Sequence, residues 1–424
     1  MKYCLAIDIG ASSGRHIIGY IENGKLVLEE IHRFTNGATN KDGKLVWEVD
    51  RLFSEILIGL KKAKEIGKIP ESVGIDTWGV DYALLDKNDK LIDGIYSYRD
   101  ARTENSSILA EKIVPFSELY SSSGIERAVF NTVYQLYDDV LTGRIENAET
   151  FLTLPDYLNF LLTGEKKQEY TDATTTALVN SKTHTWDYEI IEKLSIPKKL
   201  FKTLSQPGET VGFVKKEIEE IIGYKPKIIL PATHDTASAV LAVPDGGEHA
   251  PYISSGTWSL MGVEVEKAIT KSSSDGKSYS NEGSINFNFR FQTNIMGMWI
   301  FQNVKKELDG GSFAELTAMA EKSSYKEIFD VNDKRFFAPK SMIEEINGYF
   351  LERNINPPKT AGDICRSIFE SLAVCYAKTL TAISEITGKK FDKLHIIGGG
   401  SQNGLLNRLT AKATGITVVS GPTE

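Results

Sequence analysis

Three β-strands in immediate succession open the chain, and that start restricts the fold more than any other feature. "LAIDIG", "HIIGYIE" and "KLVLEEIHRF" are apolar or alternating runs. A turn of small residues, 10–15, separates the first two, and "ENGK" makes a hairpin between the second and third. An amphipathic helix follows. In "WEVDRLFSEILIGLKKAKEIG" the residues Val49, Leu52, Phe53, Ile56, Leu57 and Leu60 share one face, with Asp50 and Glu55 toward its start and lysines toward its end. The spacing then predicts a strand, "ESVGIDTWGV", a hairpin, "YALLDKNDKLIDG", and a mostly helical stretch over roughly 103–202. Strands and helices mix throughout, so the class is α/β.

At 424 residues the chain exceeds what one hydrophobic core normally serves, and two domains are expected. The strand "PKIILPA" leads into "THDTASAVLAVP", a helix of small residues, and "PDGGEHAP" then punctuates the chain. The boundary is placed there, giving domains 1–244 and 245–424. The second half restarts with a strand pair, "PYISSGTWSLMGVEVE", and closes with "FDKLHIIGGGSQNGLLNRLTAKATGITVVSG", which reads strand, glycine turn, helix, strand. Both halves thus begin strand, small-residue turn, strand, as a duplicated nucleotide-binding fold would.

A net charge of −8 without a basic run argues against nucleic acid or an anionic membrane as the main partner. The apolar run at the start is short and broken by Asp8, unlike a signal peptide, and no run is long enough to span a membrane. A cytoplasmic protein is expected. Cys4, Cys365 and Cys375 are too scattered for a disulfide framework or a zinc site and read as buried, reduced thiols.

Glycines beside hydroxyl residues in a turn leave backbone N–H groups free for an anion. The turn 10–15, "GASSGR", has this composition but opens a strand, so it is neither a Walker loop nor a dinucleotide fingerprint. The only G-K-[ST] run, Gly276-Lys277-Ser278, has Lys271 where the first glycine belongs. Asp8, at the end of the first strand, could hold Mg²⁺ through water while Arg15 meets phosphoryl charge, or the stretch is an ordinary turn with a surface arginine. "SSGTWS" supplies a second such hairpin with Thr257 as its hydroxyl, and "GGGSQN" lets a flat group approach the backbone.

His234 and Asp235 stand where a strand ends and a helix begins, the usual place for ligand-facing groups in α/β sheets. Asp235 either caps that helix or deprotonates an alcohol. "IDTWGVDY" and "YSYRDAR" offer polar and aromatic groups that either face a polyol or pack internally, as do Asn294 and Gln302 around "IMGMWIF".

Taken in order, "DIGASSGR", "DTWGVDY", "YRDAR", "FNTVYQLYDD", "PATHDTAS", "SSGTWSL", "QTNIMGMWIFQ" and "HIIGGGSQN" resemble the FGGY carbohydrate kinases along the whole chain. The resemblance implies two actin-like ATPase (ribonuclease H-like) domains with a ligand cleft between them. The first would be the sugar and phosphate side, the second the adenosine side. It implies transfer from ATP–Mg²⁺ to a ketose, L-rhamnulose. Residues Ala11, Ser12, Ser13, Gly14, Arg15, Thr257, Gln302, Gly398, Gly399 and Gly400 would contact ATP, and Gly79, His234, Asp235, Thr236 and Asn294 the ketose. Asp235 would accept the proton. Family members continue beyond "VVSGPTE", so the second domain is expected to be truncated at its end.

The same motifs suit kinases of fuculose, xylulose or glycerol. An actin-like ATP-driven switch shares the phosphate hairpins, but "THDT" at a strand end speaks against it. A sugar-binding protein without turnover is the third reading.

Overall fold

The computed structural model describes residues 1–244, 246–247, 249–271, 279–308 and 311–421. Asp245 and Glu248 of the predicted boundary, and the Gly276-Lys277-Ser278 run, lie outside them. The chain forms two compact units. One comprises Met1–Ser238, Lys267–Thr270 and Asn281–Phe289, the other Ala239–Glu266, Lys271–Ser280 and Arg290–Glu424.

In the first unit the opening runs fold as their alternation requires. Strands β1 (Cys4–Ile9), β2 (Ser13–Glu22) and β3 (Lys25–Thr35) pair antiparallel in sequence order. Leu5, Ile7 and Ile9 are buried in one core with Leu52, Ile56 and Leu60 of helix α1 (Val49–Glu65). Each such side chain contributes about 1.5–3 kcal/mol by leaving water. Strand β4 (Ser72–Thr77) joins β1 on its other side in parallel. The short helix α2 (Tyr170–Thr175) follows. Strands β5 (Thr210–Phe213) and β6 (Lys227–Ile229) complete the sheet in the order β5-β6-β4-β1-β2-β3. Helix α3 (Asp235–Leu241) then begins.

The second unit repeats the plan. Strands β7 (Tyr252–Ser255), β8 (Trp258–Val265), β9 (Phe289–Met296), β10 (Lys393–Ile397) and β11 (Thr417–Ser420) lie in the order β9-β8-β7-β10-β11. As in the first unit, the first two strands are antiparallel and the first and fourth parallel. Helix α4 (Trp299–Glu307) follows β9, α5 (Ala361–Thr387) precedes β10, and α6 (Gly404–Thr414) connects β10 to β11.

The stretch 103–202 is mostly helical, with the short strand Thr150–Thr153 paired to Tyr82–Leu85 and buried along its length. One expectation needs correction. Cys4 is exposed, because β1 alternates and its first residue points outward, while Cys365 is buried and Cys375 half-buried. Among the described residues no helix is long and apolar enough to cross a membrane.

Candidate active site

The ends of β1, β2 and β4 bring three charged groups together. In register, Asp8 has Arg15 beside it on β2 and Asp76 on β4. Arg15 Nε donates to Asp8 Oδ2 at 2.8 Å. The hairpin between β1 and β2 is closed by Gly10 N–H to the Ser13 carbonyl at 2.8 Å. Asn36, which the sequence did not single out, pins it from β3's end: its N–H donates to the Ser12 carbonyl and its side-chain amide to the Gly10 carbonyl, both at 2.9 Å. Ala11, Ser12 and Ser13 line a turn held in one shape, and Gly14 is buried against the Phe34 ring.

The same end of the sheet carries Asp235. Thr77 N–H donates to the Thr233 carbonyl at 2.9 Å, which extends β4 alongside Thr233 and His234. Asp235 Oδ1 accepts from Thr236 N–H at 2.5 Å and lies 3.5 Å from His234 Nε2. The Asp235 side chain keeps 32% of its exposure, yet burial among protein atoms raises its carboxyl above the usual range; His234 opposes that shift and Asp8 adds to it. Asp76 is pushed well up, first by burial and then by the charges of Asp8 and Asp235. On the far side of His234, Nδ1 lies 3.2 Å from Glu282 Oε2. Glu282 belongs to the segment 281–289 that rejoins the first unit, and no local motif marked it.

Gly79 sits against Thr175, whose side chain would lie 2.9 Å from any Cβ there. The neighbouring Val80 has φ +69°, a conformation costly for a β-branched residue. Asp81 is buried and accepts from the indoles of Trp47 (2.6 Å) and Trp78 (2.9 Å). Burial pushes its carboxyl up to about 6 against those donors. Arg102 bonds Asp139 at 2.7 Å, and Asp100 accepts from Leu45 N–H. These members of "YRDAR" serve internal packing.

The second unit presents hydroxyls and backbone rather than acids. Gly256 N–H donates to the Trp258 carbonyl at 2.8 Å, closing the hairpin with Thr257 exposed at its tip. The carbonyls of Gly256 and Thr257 accept from Met298 and Trp299 N–H, tying the hairpin to the start of α4, where Gln302 is half-buried. Asn294 is the one exposed residue of β9. Gly398 starts the glycine turn at φ +82°, Gly399 faces open space, and Gly400 lies so close to Ser255 Oγ that a Cβ would overlap it. The turn 398–400 is therefore packed on the strand that leads to Thr257.

A family model, FGGY family of carbohydrate kinases, N-terminal domain, matches residues 3–242, and its C-terminal counterpart matches 251–424. Proteins named rhamnulokinase from Oceanobacillus iheyensis and Halalkalibacterium halodurans are each 46% identical over all of this chain and 91% of their own. The rhamnulokinase of Bacillus subtilis is 41% identical over 99% of this chain and 87% of its own. Among solved structures, ligand-bound xylulose kinase from Lactobacillus acidophilus superposes with a TM-score of 0.80 at 18% identity, over 99% of this chain and 86% of its own. Plasmodium falciparum glycerol kinase with ADP gives 0.77 at 15% identity, over 99% and 86%. With matching models over both halves, an actin-like fold in each unit and full-length relatives, the chain belongs to the FGGY family of carbohydrate kinases.

Proposed function

We propose that the chain transfers the γ-phosphoryl group of ATP to the 1-hydroxyl of L-rhamnulose, giving L-rhamnulose 1-phosphate and ADP, with Asp235 as the general base. The observation that carries the reading is the Asp235 carboxyl itself, at the start of α3 beside the end of β4, partly open to solvent and raised above its ordinary value. The name shared by the relatives supports the ketose.

In this reading Asp235 takes the hydroxyl proton as the phosphoryl group arrives. His234, with Glu282 on its other nitrogen, orients the sugar together with Gly79, Thr236 and Asn294. The backbone and hydroxyls of 11–14, with Arg15, meet the phosphates, as does Thr257. Gln302 and the turn 398–400 receive the adenosine. Positioning and charge complementarity do most of the work in such a transfer.

The acids at the end of β1 fit Mg²⁺. Asp76 is raised first by burial and then by the like charges of Asp8 and Asp235, a repulsion that a cation relieves. Mg²⁺ keeps several waters and shares phosphate oxygens, so one or two carboxylates are the usual protein contribution. Asp8, with Asp76 beside it, is the group that would hold it. When bound, Mg²⁺ offsets the charge on the transferring phosphoryl group.

The test is ADP release with ATP–Mg²⁺ and L-rhamnulose, L-fuculose, L-ribulose, D-xylulose, glycerol or no acceptor. Stimulation chiefly by L-rhamnulose is expected. A preference for another acceptor overturns the ketose, and acceptor-independent hydrolysis overturns the kinase reading.

A further inference from the structure

The segment 168–176, "QEYTDATTT", holds none of the residues assigned to the chemistry above, yet it holds two of the loops that carry them. Glu169 is fully buried and caps α2, accepting from Thr171 N–H at 2.8 Å and Asp172 N–H at 3.1 Å. The same carboxylate accepts from Thr233 Oγ1–H at 2.5 Å and Thr233 N–H at 3.2 Å. Thr171 Oγ1 donates to it at 2.6 Å and accepts from the His234 backbone N–H at 3.4 Å. Five donors thus converge on one buried acid, and two of them belong to the residue just before His234 and Asp235. Burial raises the Glu169 carboxyl while the Thr171 and Thr233 donors pull it back.

The other end of α2 reaches the Gly79–Val80 turn. Thr175 Oγ1 donates to the Asp172 carbonyl at 2.8 Å and accepts from Val80 N–H at 3.1 Å. The Val80 carbonyl accepts from Thr132 Oγ1 at 2.7 Å and Gln135 Nε2 at 3.1 Å. Three side chains therefore hold a β-branched residue in a left-handed conformation it would leave if released.

We propose that α2 is the positioning element of the reaction: Glu169, through Thr233, fixes the peptide that bears His234 and Asp235, and Thr175 fixes the turn at Gly79. The inference rests on the reading of Asp235 as base to a ketose. Displacement of a reacting group by about 1 Å can cost about 100-fold in rate. A carboxylate that grips both the N–H and the hydroxyl of Thr233 prevents such drift.

The experiment compares full-length wild type with E169Q, T233V, T233S, E169Q/T233V, T175V and T175S. It measures L-rhamnulose-dependent ADP release, ATP affinity by calorimetry and melting temperature. Glu169→Gln and Thr233→Val should each lower kcat by about 10- to 100-fold with ATP affinity kept. Thr233→Ser should recover most of the rate, and the double variant should be no slower than the worse single one, since both cut the same link. Thr175→Val should raise the KM for the ketose, and Thr175→Ser should restore it. A folded T233V with wild-type kcat, or losses that multiply in the double variant, overturns the Glu169 link. An unchanged ketose KM in T175V overturns the other half. If E169Q does not fold, the T233V and T233S pair decides. A wild type silent with L-rhamnulose overturns the activity on which the inference rests, an outcome distinct from a live wild type with a fast T233V.

Discussion

Asp76 lies beside Asp8 in the parallel register of β4 and β1. Burial, then the charges of Asp8 and Asp235, raise the Asp76 carboxyl well above its ordinary value, so a cation bound there competes with its proton. Mg²⁺ activation should therefore strengthen as pH rises. The Mg²⁺ concentration for half-maximal rate, measured from pH 6 to 9, should fall across the series in wild type and lose that trend in Asp76→Asn. Asp8→Asn should raise the requirement about 10-fold. A Mg²⁺ requirement in Asp8→Asn equal to that of wild type removes Asp8 from the proposed site.

Replacing the proposed base gives a second check. Asp235→Asn should lower kcat by about 100- to 10,000-fold while ATP affinity stays nearly constant. Because the carboxyl is raised and must be ionised to act, the wild-type rate should fall on acidification at a pH above the usual carboxylate range. The residual rate of Asp235→Asn should lack that limb. An identical limb in both proteins assigns it to another group.

Asp156 makes stability sensitive to base. Burial, with Glu169 nearby, pushes its carboxyl up to about 8 in the folded chain. The folded state therefore holds a proton that the unfolded state gives up near pH 4. Its contribution is complete below that pH and is lost as pH rises through about 8. Asp156→Asn should flatten the decline in melting temperature between pH 5 and 8. An equal decline in both proteins would place the sensitivity elsewhere.

His16 acts in the opposite sense. It is wholly buried beneath α1, and burial with His32 nearby pushes its imidazole down to about 3. The unfolded chain takes up a proton near pH 6.5 that the folded chain refuses. Stability from this site is present above that pH and is lost on acidification toward 3. His16→Leu should melt higher than wild type at pH 5 relative to the difference at pH 8. A pH-independent offset would mean that packing alone sets the effect.

The parts legible in the sequence were those encoded locally. The hairpins 10–15 and 254–259 declare themselves by glycine and hydroxyl residues between apolar runs, and each is closed by a short-range bond, Gly10 to Ser13 and Gly256 to Trp258. The strand end at His234 and Asp235 was visible because an apolar run stops beside a helix of small residues. What escaped notice depends on pairing across long separations. Glu169 meets Thr233, Glu282 meets His234 and Asn36 meets Gly10, and none of Glu169, Glu282 and Asn36 carries a mark of its own. The "YRDAR" arginines illustrate the converse. Arg102 has the composition of a ligand contact, but Asp139 and the Gln135 side chain claim its guanidinium.

The repeated strand order has a consequence for how such a protein can change over generations. Corresponding positions in the two copies have diverged in kind: the first copy carries Asp8 and Asp76 at its strand ends, the second carries Ser254 and Ser255 and a glycine turn. Chemistry that depends on charge is thus inherited through one copy, and chemistry that depends on close backbone approach through the other. If the loop at Gly79 and Val80 faces the acceptor as proposed, it can be retuned without touching the Ser255 and Gly400 contact. A repeated plan with different residues at matching positions leaves two separately adjustable sets of groups where one would force every change to compromise with the rest.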